Sequence, residues 1–194
     1  MSLKPQNTYK HLFNFISKEE SRPVLNGIHV TENGDLEATN SHVIIQLYGR
    51  VRKGQEMIID PKRIRCIEGK YPSLNRIAYQ NPNFEIELVN KQLVQIFNFA
   101  KSVNKDASIE IKLGNRRLEF LTKGGNNLSL SADSDDPLDM YVSQTNLKIV
   151  FDFLKDNTES ISFGYSGALQ PLIFDKPQDF KVLLMPIREE WSHA

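Results

Sequence analysis

The feature that most constrains this chain is an order of elements that occurs twice in its second half. "FEIEL" (84–88) alternates as a strand does, and "NKQLVQIFNFAKSVNKD" then takes helical spacing, with Leu93, Ile96, Phe97, Ala100 and Val103 on one face. Three strand segments follow, "SIEIKL" (108–113), "RLEFLT" (117–122) and "NLSLSA" (127–132), divided by Gly114-Asn115 and by Gly124-Gly125-Asn126. The same β-α-β-β-β order then returns. "DMYV" (139–142) is a strand, Ser143 is placed to cap a helix whose apolar positions are Leu147, Val150, Phe151 and Leu154, and "SISFGY", "PLIFD" and "FKVLLMPI" are three further strands. Strand starts near Phe84 and Asp139 set a repeat of about 55 residues, just beyond the usual repeat range. Residues 83–188 therefore read as one domain built from two similar halves.

The first 80 residues carry the pattern once and incompletely. Tyr9, Leu12, Phe13 and Ile16 form a helical face, and "PVLNGIHV", "DLEAT" and "HVIIQLY" follow as strands, the first two joined at Asn33-Gly34. "EMII" (56–59) then leads into a second helix over 60–67, opened by Asp60 as N-cap and Pro61 at the first helical position. Where the repeat requires three more strands, the chain passes directly to "EGKYPSLNRI" (68–77). The expected organisation is thus a truncated domain over 1–80 and a complete one over 81–194.

Composition narrows the function classes. A chain of 194 residues holds one or two domains with a real core. Cys66 is the single cysteine, so no internal disulfide exists, and no apolar run reaches the ~18 residues of a membrane span. "MSLKPQNTYK" lacks the apolar core of a signal peptide, which makes the cytoplasm the expected location and a membrane an unexpected partner. Net charge is zero, yet residues 1–80 carry 12 Lys+Arg against 8 Asp+Glu and residues 81–194 carry 12 against 16. Any phosphate contact must then be local.

No catalytic constellation emerges, and no cofactor is expected. His11, His29, His42 and His193 share no ligand spacing, and Cys66 has no local histidine partner. The acidic stretch "DSDDPLD" (133–139) lacks the glycine and glutamate of a calcium hand, and "KGGNN" (123–127) has no helix behind it to cradle phosphate. The helices say more. Opposite its core positions the 90–105 helix carries Lys91, Gln95, Asn98, Ser102 and Lys105, none of them acidic. The first helix exposes Lys10, Asn14 and Lys18; the 60–67 segment adds Lys62, Arg63 and Arg65; the 144–156 helix is mixed, with Lys148, Asp152 and Lys155. A solvated face explains any one of these, but recurrence suits a surface that meets phosphates without reading bases.

Three stretches carry a family resemblance. "SRPVLNGIHVTENGDLEATNSHVII" resembles the R-P-[IV]-L-x-G, hairpin and T-D-G-H-R-L segment of bacterial DNA sliding clamps, the beta subunit of the replicative polymerase. "EGKYPSLNRI" is similar to the family's E-G-[KR]-[FY]-P-x-[YF]-x-R-[VI], and "LLMPIR" to its terminal V-[ML]-P-[ML]-R. The resemblance covers roughly residues 8–188. It implies an α+β clamp fold of repeated β-α-β-β-β halves, with helices on one side of antiparallel sheets and turned towards DNA. It further implies a non-catalytic processivity factor and a pocket between the last two domains for apolar peptides of polymerases or clamp loaders. Carried over by motif, that pocket comprises Thr39, Ser41, His42 and Ile44, then Pro72, Arg76 and Ile77 of the connector, then Leu183, Leu184, Met185, Pro186 and Ile187.

The chain also departs from the family. The resemblance implies chains of three domains, and these 194 residues are expected to correspond to the last two. "TNSHVI" loses an aspartate and an arginine and has Ser41 in place of a glycine, and "EEWSHA" extends past the usual end. A phage or mobile-element homologue is one expectation for so short a clamp. If two-domain chains close a ring, three copies supply six domains. The alternative is a non-ring module that binds or titrates clamp partners, and an enzyme would need the "DSDDPLD" carboxylates to hold a metal.

Overall fold

A computed structural model describes residues 5–74 and 82–188. By contact density the chain divides into two units, residues 1–80 with 175–183, and residues 81–174 with 184–194. The return of 175–183 to the first unit was not expected from the sequence.

The second unit contains both halves of the repeat except for the last strand, which belongs to the first unit. The first half is β6 (Phe84–Val89), α2 (Asn90–Ser102), β7 (Ser108–Gly114), β8 (Arg117–Leu121) and β9 (Asn127–Ser131). The second is β10 (Leu138–Ser143), α3 (Gln144–Asn157), β11 (Ser160–Tyr165) and β12 (Leu172–Lys176), after which β13 (Phe180–Leu184) completes the order. The halves exchange their first strands. β6 pairs antiparallel with β11 of the other half, Phe84 opposite Tyr165 through Val89 opposite Ser160. β10 pairs with β7, Leu138 opposite Leu113 through Ser143 opposite Ser108. The resulting sheets run β10-β7-β8-β9 and β12-β11-β6, and α2 packs along α3. Leu147, Val150, Phe151, Phe153 and Leu154 of α3 and Leu93, Ile96 and Ala100 of α2 are buried, which gives this unit a continuous apolar interior. Phe97 is a correction: it is only half-buried, capped by Lys155 at 4.6 Å and Lys148 at 5.7 Å from its ring centre, and Phe99 takes the interior place.

Among its described residues the first unit has one α-helix, α1 (Pro5–Phe15), and strands β1 (Ile28–Val30), β2 (Leu36–Thr39), β3 (Val43–Leu47), β4 (Met57–Asp60) and β5 (Arg65–Cys66). Its sheet runs β5-β4-β1-β2-β3 and continues with β13. At that seam Tyr48 N–H donates to Asp179 O at 3.0 Å, and Arg50 donates to both the carbonyl and the carboxylate of Asp179. Three sequence expectations are corrected here. Residues 23–26 form a 3-10 turn rather than strand, because Pro23 fixes the backbone at its start and Leu25 is drawn into the core. The buried face of α1 is His11, Leu12 and Phe15, with Ile16 buried just after it, whereas Tyr9 and Phe13 are exposed.

The third correction concerns residues 60–67, which are a hairpin and not a helix. The start signal operates: Asp60 Oδ1 accepts the N–H groups of Lys62 (2.9 Å) and Arg63 (3.2 Å), as an N-cap would. One α-turn closes, Ile64 N–H to Asp60 O at 2.8 Å. The helix then stops, because Ile64 lies at φ +52° and its side chain has no core to enter. Cys66 pairs opposite Ile59 instead, and Ile67 N–H donates to Ile58 O at 2.8 Å.

Candidate functional site

The residues carried over by motif occupy three places. The first is the β2–β3 turn, which is built by side-chain hydrogen bonds. Thr39 Oγ1 donates to Val43 O (2.7 Å) and accepts Ser41 N–H (3.0 Å), while Asn40 Oδ1 accepts the N–H groups of His42 (2.9 Å) and Val43 (3.0 Å). This geometry requires a left-handed residue at position 41, and Ser41 stands at φ +79°. It is the position where the resembled motif has glycine. Arg22, from the "RP" element of the same motif, donates to Ser41 Oγ at 3.0 Å. The turn presents Ser41 and His42 to solvent, whereas Thr39 and Ile44 are interior.

The second place is the connector, whose Tyr71 and Leu74 are buried and whose Pro72 is exposed. Arg76 and Ile77 lie outside the described residues, as does the 189–194 tail. The third is the chain's last strand. Leu183 and Leu184 are fully buried, and Met185, Pro186 and Ile187 are half-buried. Ile187 N–H donates to Tyr141 O at 2.7 Å and so anchors this end within the second unit. Thr39, Ile44, Leu183 and Leu184 are thus core side chains, and the accessible part of the motif set is narrower than the sequence implies.

A polar layer that sequence reading missed lies in the first unit. His29 faces Glu37 across β1 and β2, with Nδ1 2.8 Å from its carboxylate, and Nε2 is 2.7 Å from Glu56. Gln46 of β3 donates to the second Glu37 oxygen at 2.7 Å. Tyr71 stacks on the His29 ring, centroids 4.6 Å apart and planes at 18°. Burial works against protonation of His29, but the hydrogen bonds and charges of Glu37 and Glu56 outweigh it, so its pKa lies above the ordinary histidine value. Tyr71 of the connector covers this layer. This is what "EGKYPS" does in the structure: Gly69, at φ +133° and too close to Val24 for a side chain, lets Tyr71 reach the layer. Beside it Glu56, Met57, Ile58, Cys66, Ile67 and Tyr71 line part of a groove of about 620 Å³.

The cationic positions are also placed. Lys10 and Lys18 are exposed on and just after α1, Lys91 and Lys105 on and just after α2, and Lys62, Arg63 and Arg65 on the β4–β5 hairpin. Lys148 is half-buried against Phe97. Neither α1 nor α2 contains a carboxylate, whereas Asp152 and Asp156 of α3 pair with Lys155 at 3.0 and 2.7 Å. Among the described residues no cluster of His, Cys, Asp or Glu is arranged to hold a metal ion, and no helix is long and apolar enough to cross a membrane.

Comparison of the structure with solved ones decides the fold. The Caulobacter crescentus beta sliding clamp superposes with TM-score 0.76 at 18% identity, over 94% of this chain and 63% of that one. The chain has the sliding-clamp fold. The Bartonella birtlesii DnaN sliding clamp, bound to griselimycin, gives 0.75 at 16% identity over 96% of this chain and 65% of that clamp. The Bacillus subtilis DNA polymerase sliding clamp gives 0.74 at 17% over 95% and 63%. The chain therefore spans just under two thirds of the clamps it matches. No family model and no curated protein matches its sequence. The Caulobacter clamp holds polyethylene glycol at a proposed beta-motif tethering region.

Proposed function

We propose that this chain is a shortened sliding-clamp homologue that acts without catalysis as a processivity or recruitment platform. It contacts duplex DNA through local basic surfaces, independently of sequence, and takes short apolar peptides of polymerase or clamp-loader partners. The observation that carries the reading is the extent of the fold likeness, 94–96% of the chain superposed on clamps, together with two helices that bear lysine and no carboxylate. Peptide binding rests on the motif residues that remain accessible, Ser41, His42, Pro72, Met185, Pro186 and Ile187, with Arg76 and Ile77 of the connector. A ligand at the tethering region of the Caulobacter clamp agrees with this use.

In the ring form three chains assemble. A second reading, a non-ring module that competes for clamp partners, is favoured by one observation: among the described residues the first unit contains a single α-helix where the second has a packed pair. Retention on nicked circular DNA, with light scattering in parallel, separates the two. Retention on circles and escape from linear ends supports the ring. A species that stays at 22.3 kDa with DNA present but binds clamp-type peptides supports the module. For those peptides Arg76→Ala is expected to cost about 1–2 kcal/mol, from poorer packing and the absence of a charged hydrogen bond. Neither DNA retention nor peptide binding in the folded protein would overturn both readings.

A further inference from the structure

We propose that the tip of the β4–β5 hairpin is a minor-groove contact, in which Lys62, Arg63 and Arg65 take phosphates on either side of the groove and Ile64 is the wedge against the base steps. The inference rests on the proposed DNA contact and assigns it a place outside the helices.

The tip is a fixed shape. Its one acid, Asp60, spends its carboxylate on the N–H groups of Lys62 and Arg63 and its carbonyl on Ile64 N–H. Arg65 Nε stands 4.0 Å from the other Asp60 oxygen, the outer limit of an ion pair, and its side chain is 62% exposed. Three cations therefore surround the turn against the single carboxylate of Asp60, whose charge offsets one of them and leaves an excess of two, which is the charge pattern a polyanion complements.

Ile64 makes the site more than a basic loop. At 87% it is the most exposed of the large apolar residues in the described structure, and it adopts φ +52°. A β-branched residue is disfavoured in that region, and an apolar side chain left in water gains nothing from burial. Asparagine or glycine would suit the turn better, so folding does not explain the isoleucine. Proteins that grip the minor groove pair cations on the phosphates with an aliphatic side chain inserted at a base step. A bilayer is the less suitable partner for the same group. One aliphatic side chain buries too little surface to anchor a hairpin, and a wedge in DNA needs no more than one.

The test uses the full chain and a fluorescein-labelled linear duplex, titrated by anisotropy over a series of salt concentrations. Arg63→Ala/Arg65→Ala is expected to flatten the slope of log K against log salt by about 1.8, near 0.9 for each phosphate left without its cation. Arg63→Gln/Arg65→Gln repeats the measurement with more of the stems kept. Ile64→Gly is expected to leave the slope unchanged and weaken binding roughly three- to tenfold, with loss of the 2-aminopurine fluorescence rise that wild type induces in the duplex. All three positions are exposed, so the arginine variants should keep the wild-type thermal midpoint, and Ile64→Gly, which relieves a left-handed isoleucine, should not lower it. Wild-type binding that neither substitution alters overturns the hairpin and leaves the DNA reading in place; no salt-dependent wild-type binding overturns both. Binding to phosphatidylserine vesicles that Ile64→Gly abolishes, with DNA binding intact, overturns the proposal in favour of a membrane-docking tip.

Discussion

The two units use the same strand order with different amounts of chain. In the second, β10-β7-β8-β9 is followed, after β10, by a 14-residue helix that packs on α2. In the first, β4-β1-β2-β3 has the same arrangement, but β4 is followed by a four-residue turn and a return strand. The comparison teaches what a second helix contributes. Among the described residues of the first unit no other α-helix lies against α1, and Tyr9 and Phe13 are 38% and 44% exposed. The first unit draws its order instead from a polar layer under Tyr71 and from β13 beside β3.

The sharpest way to break this comparison is to truncate one apolar residue on each helix. Leu147→Ala, on the paired α3, is expected to cost about 3–4 kcal/mol of second-unit stability, as fully buried leucines do. Phe13→Ala, on the lone α1, should cost less than about 1 kcal/mol, because much of its side chain already faces water. Equal losses in denaturant titrations would mean that α1 has a partner after all.

The polar layer gives the next largest effect. His29→Ala leaves the buried Glu37 carboxylate with Gln46 alone, and a loss of about 3 kcal/mol confined to the first unit is expected. The layer also makes this unit sensitive to pH. The folded-state pKa of His29 is raised, so its contribution is complete below the unfolded value of about 6.5 and is lost as pH rises through the folded value. First-unit stability should decline as pH rises above the unfolded value of about 6.5 in wild type, and in His29→Ala that decline should vanish.

Much of this was readable in the sequence, and the failures have a common cause. The β-α-β-β-β repeat was legible because α2 and α3 bury leucine and isoleucine at helical spacing and their strands alternate. Residues 60–67 misled because Asp60 and Pro61 are a genuine helix start, while the decision to stop depends on whether Ile64 finds a core. His29, Glu37 and Gln46 sit at alternate strand positions that normally face water, and only tertiary packing puts Tyr71 over them. Of the candidate site, Ser41 and His42 were reached by motif alone, His42 as the first residue of a strand, and the turn they form depends on side-chain hydrogen bonds of Thr39 and Asn40. The burial of Ile44, Leu183 and Leu184 was not, because a motif records identity and not depth.

Ser41 offers the smallest effect. Ser41→Gly keeps the turn, relieves the left-handed serine and should stabilise the first unit by about 1 kcal/mol, while the exposed bond to Arg22 adds little. No gain in the thermal midpoint would mean that the Arg22 hydrogen bond matters more than the backbone.

The central claim is that the second unit is held by two helices packed on one another over a continuous apolar interior, and the first by a polar layer under Tyr71 and by β13 beside β3. Native-state hydrogen exchange, read residue by residue, tests it most directly. The account predicts that amides of α2, α3, β7 and β10 exchange only through global unfolding, whereas those of α1, β4 and β5 open at distinctly lower free energy. Protection of α1 and β4 equal to that of α2 and α3 would contradict it.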